Sequence, residues 1–241
     1  LTLDVSGSMQ AIDLDMKNQK NRLDVAKEVT SRFVAGRKND RIGLVIFATS
    51  AFTQCPMTVD YAILQQLLEQ IQLGVIDESS TAIGNALANS VNRLRNSQAK
   101  SRVIILLTDG ENNAGEIDPL TAAEIAKTFG IRIYTIGAGA EGEALIPVKG
   151  FFGKQYQRVE VRIDEPTLKE IAKITGAKYF RAYDRKGLEN IFKEIDSLEK
   201  SKIETAGVRR YRELFRLAAF PALGLLLLEL LLAQTRFRIL P

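Results

Sequence analysis

Histidine is absent from this 241-residue chain, and cysteine occurs once. Without histidine the chain cannot build a serine–histidine triad, a histidine general base or a histidine-ligated zinc site. The single Cys55 excludes an internal disulfide and leaves the redox compartment open. It lies in AFTQCPM, apolar and beside a proline, with no neighbour that would lower a thiol pKa, and reads as a buried structural thiol. Dense Lys/Arg runs interleaved with aromatics are also lacking. The net charge of +4 is mild and spread along the chain, which argues against a nucleic-acid partner. No G-x-x-x-x-G-K-S/T phosphate loop occurs. GAGAEG (137–142) matches G-x-G-x-x-G after a strand, but Pro147, Gly150 and Gly153 stand where the phosphate-binding helix would start, so it reads as a flexible loop. An initiator Met is missing and the chain begins three residues before Asp4, the pattern of a fragment whose upstream part is not included.

What is present is globular: 46% hydrophobic and 26% charged residues, over a length that allows one well-buried domain with some to spare. LTLDV, RIGLVIFA (41–48), RVIILLTDG (102–110), IRIYTIGAG (131–139) and KYFRAY (178–183) read as strands. Helical spacing marks 22–35, 61–71, 82–94, 119–130, 165–176 and 184–200 between them, and AFTQC can fold back on the second strand as a hairpin. Regular alternation with apolar strands predicts an α/β fold, a Rossmann-like, doubly wound and mostly parallel sheet with helices on both faces. Residues 141–163, with their glycines, proline and alternating QRVEVRI, break the rhythm and read as an inserted loop and β-ribbon on the sheet edge, either decoration or a contact surface.

The C-terminal part changes character. Leu214 to Ala233 is a 20-residue run in which only Arg216 and Glu229 are charged. At about 1.5 Å per residue it spans about 30 Å, the thickness of a bilayer core. LGLLLLELLL is apolar all round, as a membrane helix is, whereas a surface helix needs a polar face. The organisation expected is a globular domain at 1–198, a juxtamembrane linker at 199–213, a transmembrane helix at 214–235 and a basic tail at 236–241. Arg209, Arg210, Arg212 and Arg216 precede the span and only Arg236 and Arg238 follow it, which by charge alone places the globular domain in the cytoplasm.

Chemistry gathers where the parallel strands end. Asp4, Ser6 and Ser8 follow the first strand, Asp109 follows VIILLT, and Thr81 of DESSTAIGNAL stands just before a helix. In extended backbone, positions i, i+2 and i+4 point the same way, and Gly7 lets the chain turn. Two carboxylates and three hydroxyls, with no nitrogen or sulfur, suit a hard cation, Mg²⁺ foremost, with Mn²⁺ or Ca²⁺ as alternatives. The carboxylates balance the 2+ charge, and an open coordination position would receive an Asp or Glu from a protein partner.

DVSGSM, STAIG and LLTDG resemble the three loops of the metal-ion-dependent adhesion site of von Willebrand factor A domains, over about residues 1–198. The resemblance covers Asp4, Ser6, Ser8, Thr81 and Asp109 without departure. NRLDVAKEV, DRIGLVIFATSAFTQCPMT, LLTDGENNAGEIDP, GAKYFRAYD and the terminal QTRFRILP are similar to the BatA-type bacterial aerotolerance membrane proteins. That resemblance implies an inner-membrane protein whose domain faces the periplasm, against the simple charge count. It also implies a MoxR-type AAA+ ATPase and sister von Willebrand-type Bat proteins as partners.

Two other classes of function are open to these residues. One is a structural scaffold whose metal site stays unoccupied. The other is a haloacid-dehalogenase-like phosphotransferase, which needs a second Asp two residues after the first; here that position is Ser6.

Overall fold

The computed structural model describes residues 1–140, 142–150, 153–161, 163–207 and 220–229. Strands β1 (Thr2–Asp4), β2 (Ile42–Phe47), β3 (Ala51–Thr58), β4 (Val103–Thr108), β5 (Arg132–Ala138) and β8 (Tyr179–Ala182) form one six-stranded sheet in the order β3-β2-β1-β4-β5-β8. All pairings are parallel except β2 with β3, the hairpin expected from AFTQC. β1, β2 and β4 are almost wholly buried, which is why they read as continuous apolar runs rather than alternating ones.

Helices α1 (Arg22–Ala35), α2 (Tyr61–Glu69), α3 (Ile83–Leu94), α4 (Pro119–Thr128), α5 (Glu165–Ile174) and α6 (Arg185–Gly207) connect and flank these strands. Their starts are set locally. The side chains of Asn21, Asp60, Asp118 and Asp164 each accept a bond from the backbone N–H three residues on, and Pro119 and Pro166 sit in the first turn, where no N–H is missed. One apolar core joins α1, α2 and α6 to the sheet through Val25, Leu64, Leu188 and Phe192. A second, through Leu87, Ala123 and Leu168, joins α3, α4 and α5 to the other face. The sheet is therefore doubly wound, and its order reverses between β1 and β4, where folds of this class place their ligands.

Cys55 is buried in β3, and that burial, with the charge of Asp60, pushes its thiol pKa up, as a structural thiol requires.

The insert departs from expectation. β6 (Gly142–Gly150) and β7 (Gly153–Val161) are an antiparallel ribbon, but they form a separate two-stranded sheet rather than extending the main one. The ribbon leaves from β5, an interior strand whose two sides are taken by β4 and β8, and its two strands pair with each other.

Gly84 of STAIG shows how tightly the layers meet. A Cβ there would fall 1.7 Å from the carbonyl oxygen of Ile117, so α3 lies directly against the loop before α4. Gly84→Ala is expected to cost about 1–3 kcal/mol, or more if the backbone cannot shift, read as a lower urea midpoint with an unchanged slope.

The chain divides into two compact units, Leu1–Ile203 and Glu204–Pro241. In the second, residues 220–229 are helical. The rest of the 214–235 span lies outside the described residues, as do the tail at 236–241 and residues 208–213 of the expected linker, whose first part, 199–207, instead continues α6. No helix among the described residues is long and apolar enough to cross a membrane.

Candidate metal centre

β1 ends at Asp4, and the Val5 amide still bonds to the Phe47 carbonyl at 2.8 Å, so the strand delivers Asp4 at the sheet's carboxyl edge. The chain then departs from the extended path that alternation implies. Gly7–Gln10 form a 3₁₀ turn, and the Gly7 amide donates to the Glu78 carbonyl at 2.9 Å. Convergence is reached all the same, because the turn brings Ser8 Oγ to 3.0 Å from Ser6 Oγ. From the next strand, Asp109 Oδ1 accepts from Ser8 Oγ at 2.6 Å. Thr81 closes the group: its Oγ would lie 3.3 Å from a Cβ on Gly110, an approach that a side chain at 110 would crowd.

Ser6, Ser8, Thr81 and Asp109 line one cavity of about 290 Å³. Asp4 does not line it. Asp4 is wholly buried beneath, its Oδ1 accepting from the Ser6 amide at 2.8 Å and its Oδ2 from Thr108 Oγ1 at 2.5 Å. Four of the five expected residues therefore face the cavity, and the fifth is bonded to the Ser6 amide behind it. Burial, reinforced by the charge of Asp109, pushes the Asp4 carboxyl up to about 7. Burial also raises Asp109, against the pull of Arg22.

Among the described residues no cluster of three or more Asp, Glu, Cys or His side chains is arranged to hold a metal ion. Three of the five candidate residues supply hydroxyls. Those hydroxyls, with the Asp109 carboxylate in the cavity wall, fit a small hard cation.

Several supporting residues had no sequence signal. Arg22, at the start of α1, is 1% exposed. Its Nη1 donates to Asp109 Oδ2 at 2.6 Å, Nε donates to Asp13 Oδ1 at 2.8 Å, and Nη2 donates to Asp13 Oδ2. Burial works against the Arg22 charge, but Asp13 and Asp109 overcome it and hold the guanidinium above its usual pKa. GAGAEG finds its role here. Gly139, at φ +144°, passes so close that a Cβ would sit 2.6 Å from Arg22 Nη2, and the Ala140 amide donates to Asp13 Oδ2 at 2.9 Å. This part of the segment is a fitted turn rather than a flexible loop.

Asn112 and Asn113 follow the Asp109-Gly110 turn. Asn112 Oδ1 accepts from the Ile83 amide at 2.8 Å and Asn113 Oδ1 from the Thr81 amide at 2.7 Å, tying the third loop to the second. The polar run ENN after LLTDG was the available clue. The ribbon completes the wall, with Ala144 and Ile146 facing the cavity and the Leu145 carbonyl accepting from the Ile12 amide at 2.9 Å.

Residues 1–194 match the von Willebrand factor type A domain. An uncharacterised protein of Borreliella burgdorferi is 31% identical over 223 residues, covering 90% of this chain and 64% of that protein. The chain spans about three fifths of the length of the curated relatives it matches. The crystal structure of the conserved hypothetical protein BatB from Bacteroides thetaiotaomicron is 34% identical with a TM-score of 0.71, over 83% of this chain and 97% of that one. A form of an aerotolerance-related membrane protein from Bacteroides fragilis, with several residues mutated to serine, is 32% identical with a TM-score of 0.68, over 80% and 94%.

Proposed function

The chain belongs to the von Willebrand factor type A domain family, in its Bat-type branch, and from that premise we propose that it is a metal-dependent docking module rather than an enzyme. The observation that carries this reading is the meeting of Ser6, Ser8, Thr81 and Asp109 in one open cavity, with Asp4 buried beneath them. Ser6, Ser8, Thr81 and Asp109 would hold a divalent ion, for which Mg²⁺ is our choice, and Asp4 would balance its charge through Ser6. When bound, the ion supplies an open coordination position for one carboxylate oxygen of a protein partner. The chain's own part is to keep the hydroxyls converged and the ion's charge incompletely neutralised, so that an incoming acid is attracted.

The wider setting is proposed on resemblance. Membrane anchoring through 214–235 agrees with the similarity to an aerotolerance-related membrane protein, and a linker at 199–213, a basic tail at 236–241, inner-membrane location with the domain facing the periplasm, and work with a MoxR-type ATPase and sister Bat proteins are proposed with it. A phosphotransferase is disfavoured because Ser6 stands where its second acid would be.

A scaffold with an unoccupied site is the second reading, and one observation favours it: Asp4 and Asp109 already find their partners within the protein. The test is capture of an immobilised peptide carrying one Asp. Docking requires retention in Mg²⁺, release by EDTA and a loss of about tenfold or more in Thr81→Ala. Equal retention with and without Mg²⁺, or none in either, would favour the scaffold.

A further inference from the structure

Resting on the docking reading, we infer that the partner presents a lysine or arginine beside the acid that enters the cavity, and that Glu78 reads this cation. Glu78 lines the same cavity and is fixed to the DVSGSM loop by its carbonyl, which accepts from the Gly7 amide at 2.9 Å. Its Oε1 accepts from Gln10 Nε2 at 3.0 Å. Its Oε2 is buried and has no hydrogen-bond donor among the described residues. A buried carboxylate oxygen without a donor is costly in the free protein, and because Glu78 as a residue is only half-buried, a turn of its side chain toward the cavity would let an incoming cation relieve that cost.

The described residues lining the cavity offer no free cation for the task. Among the described residues Arg22 is the only basic one lining it, and its guanidinium is engaged on both sides, by Asp13 and by Asp109. The two described ribbon residues that line it, Ala144 and Ile146, are apolar. Glu111 adds a further acid at the exposed rim. Arg22 and a divalent ion together carry less positive charge than Asp4, Asp13, Asp109, Glu78 and Glu111 carry negative. An acid arriving alone adds to that excess, whereas an acid with a neighbouring cation offsets it. Selection thus acts against polyacidic segments and in favour of acid–base pairs.

The experiment uses the full chain and three short fluorescent peptides with a single Asp in a Gly/Ser background. Two residues from the Asp stands Lys, norleucine or Glu, and binding is followed by anisotropy in Mg²⁺ and in EDTA. In Mg²⁺ the Lys peptide should bind roughly tenfold more tightly than the norleucine peptide, and the Glu peptide least. Glu78→Gln, which keeps the shape of the side chain, should remove the Lys advantage while leaving Mg²⁺-dependent binding of the norleucine peptide. Glu111→Gln should retain most of that advantage. Equal Mg²⁺-dependent binding of all three peptides, or a Lys advantage that survives Glu78→Gln, overturns the role of Glu78 and leaves docking intact. Absence of Mg²⁺-dependent binding by any peptide overturns docking, and this inference with it.

Discussion

Arg22→Met is expected to lower the stability of the Leu1–Ile203 unit by about 3–5 kcal/mol, a large share of the 5–15 kcal/mol typical of a domain. The volume is nearly conserved, so the loss comes from charge. Arg22 is 1% exposed and holds Asp13 and Asp109, which are equally enclosed. Removing the guanidinium leaves two carboxylates buried without a counter-ion and withdraws donors from three of their oxygens. Urea unfolding should show a much lower midpoint at constant slope. Adding Asp13→Asn and Asp109→Asn to Arg22→Met should restore much of the loss, because a neutral set no longer needs the cation. A single-variant loss below about 1 kcal/mol would mean that water, rather than Arg22, serves these acids.

Asp4→Asn is expected to move stability in opposite directions with and without metal. In metal-free protein the Asp4 carboxyl is raised from 3.8 to about 7 by burial and by Asp109, so the native state holds a proton that the unfolded chain releases. The stability this contributes is fully present below about pH 4 and is lost as pH rises through about 7, at up to about 1.4 kcal/mol per pH unit. The asparagine isostere can still accept from the Ser6 amide and offer its amide to Thr108 Oγ1. It should flatten that slope and be the more stable form at pH 8 in EDTA.

Saturating Mg²⁺ should reverse the order. An ion that binds only the native state adds about 2.7 kcal/mol at one hundred times its dissociation constant, and the wild type should gain on this scale at pH 8. Asp4→Asn should gain little, having lost the charge beneath the hydroxyls. Thermal melts in EDTA and in Mg²⁺ at pH 5 and pH 8 check both signs. An Asp4→Asn variant that responds to Mg²⁺ as fully as the wild type would remove Asp4 from the metal centre.

The legible parts of this protein are those whose signal is local. α1 runs over 22–35 as its apolar spacing indicates, because Asn21 caps its start and Gly36 follows its end. β4 was legible because a strand covered on both faces has no polar alternation to confuse it. Asp4 and Asp109 could be placed at strand ends because an acid closing an apolar run has no reason to be in the core pattern.

The ribbon was legible as two strands but not in its position, since alternation reports a strand and says nothing about which edge is vacant. Ser6 and Ser8 were rightly paired, but through a 3₁₀ turn rather than strand alternation. Arg22 looked like any helix N-terminal residue. Its partners are Asp13, nine positions away, and Asp109, 87 away, and no periodicity spans such gaps.

The order of elements, the doubly wound class and the oxygen chemistry of DVSGSM, STAIG and LLTDG follow from the sequence by itself, because propensity, capping and side-chain type act within a few residues. Only the tertiary structure decided that Asp4 lies under the cavity while Asp109 lines it, that Arg22 holds Asp109 from behind, and that Glu78 and the ribbon shape the mouth. Burial and long-range pairing set those roles, and both arise only when segments far apart in the chain displace water from one another.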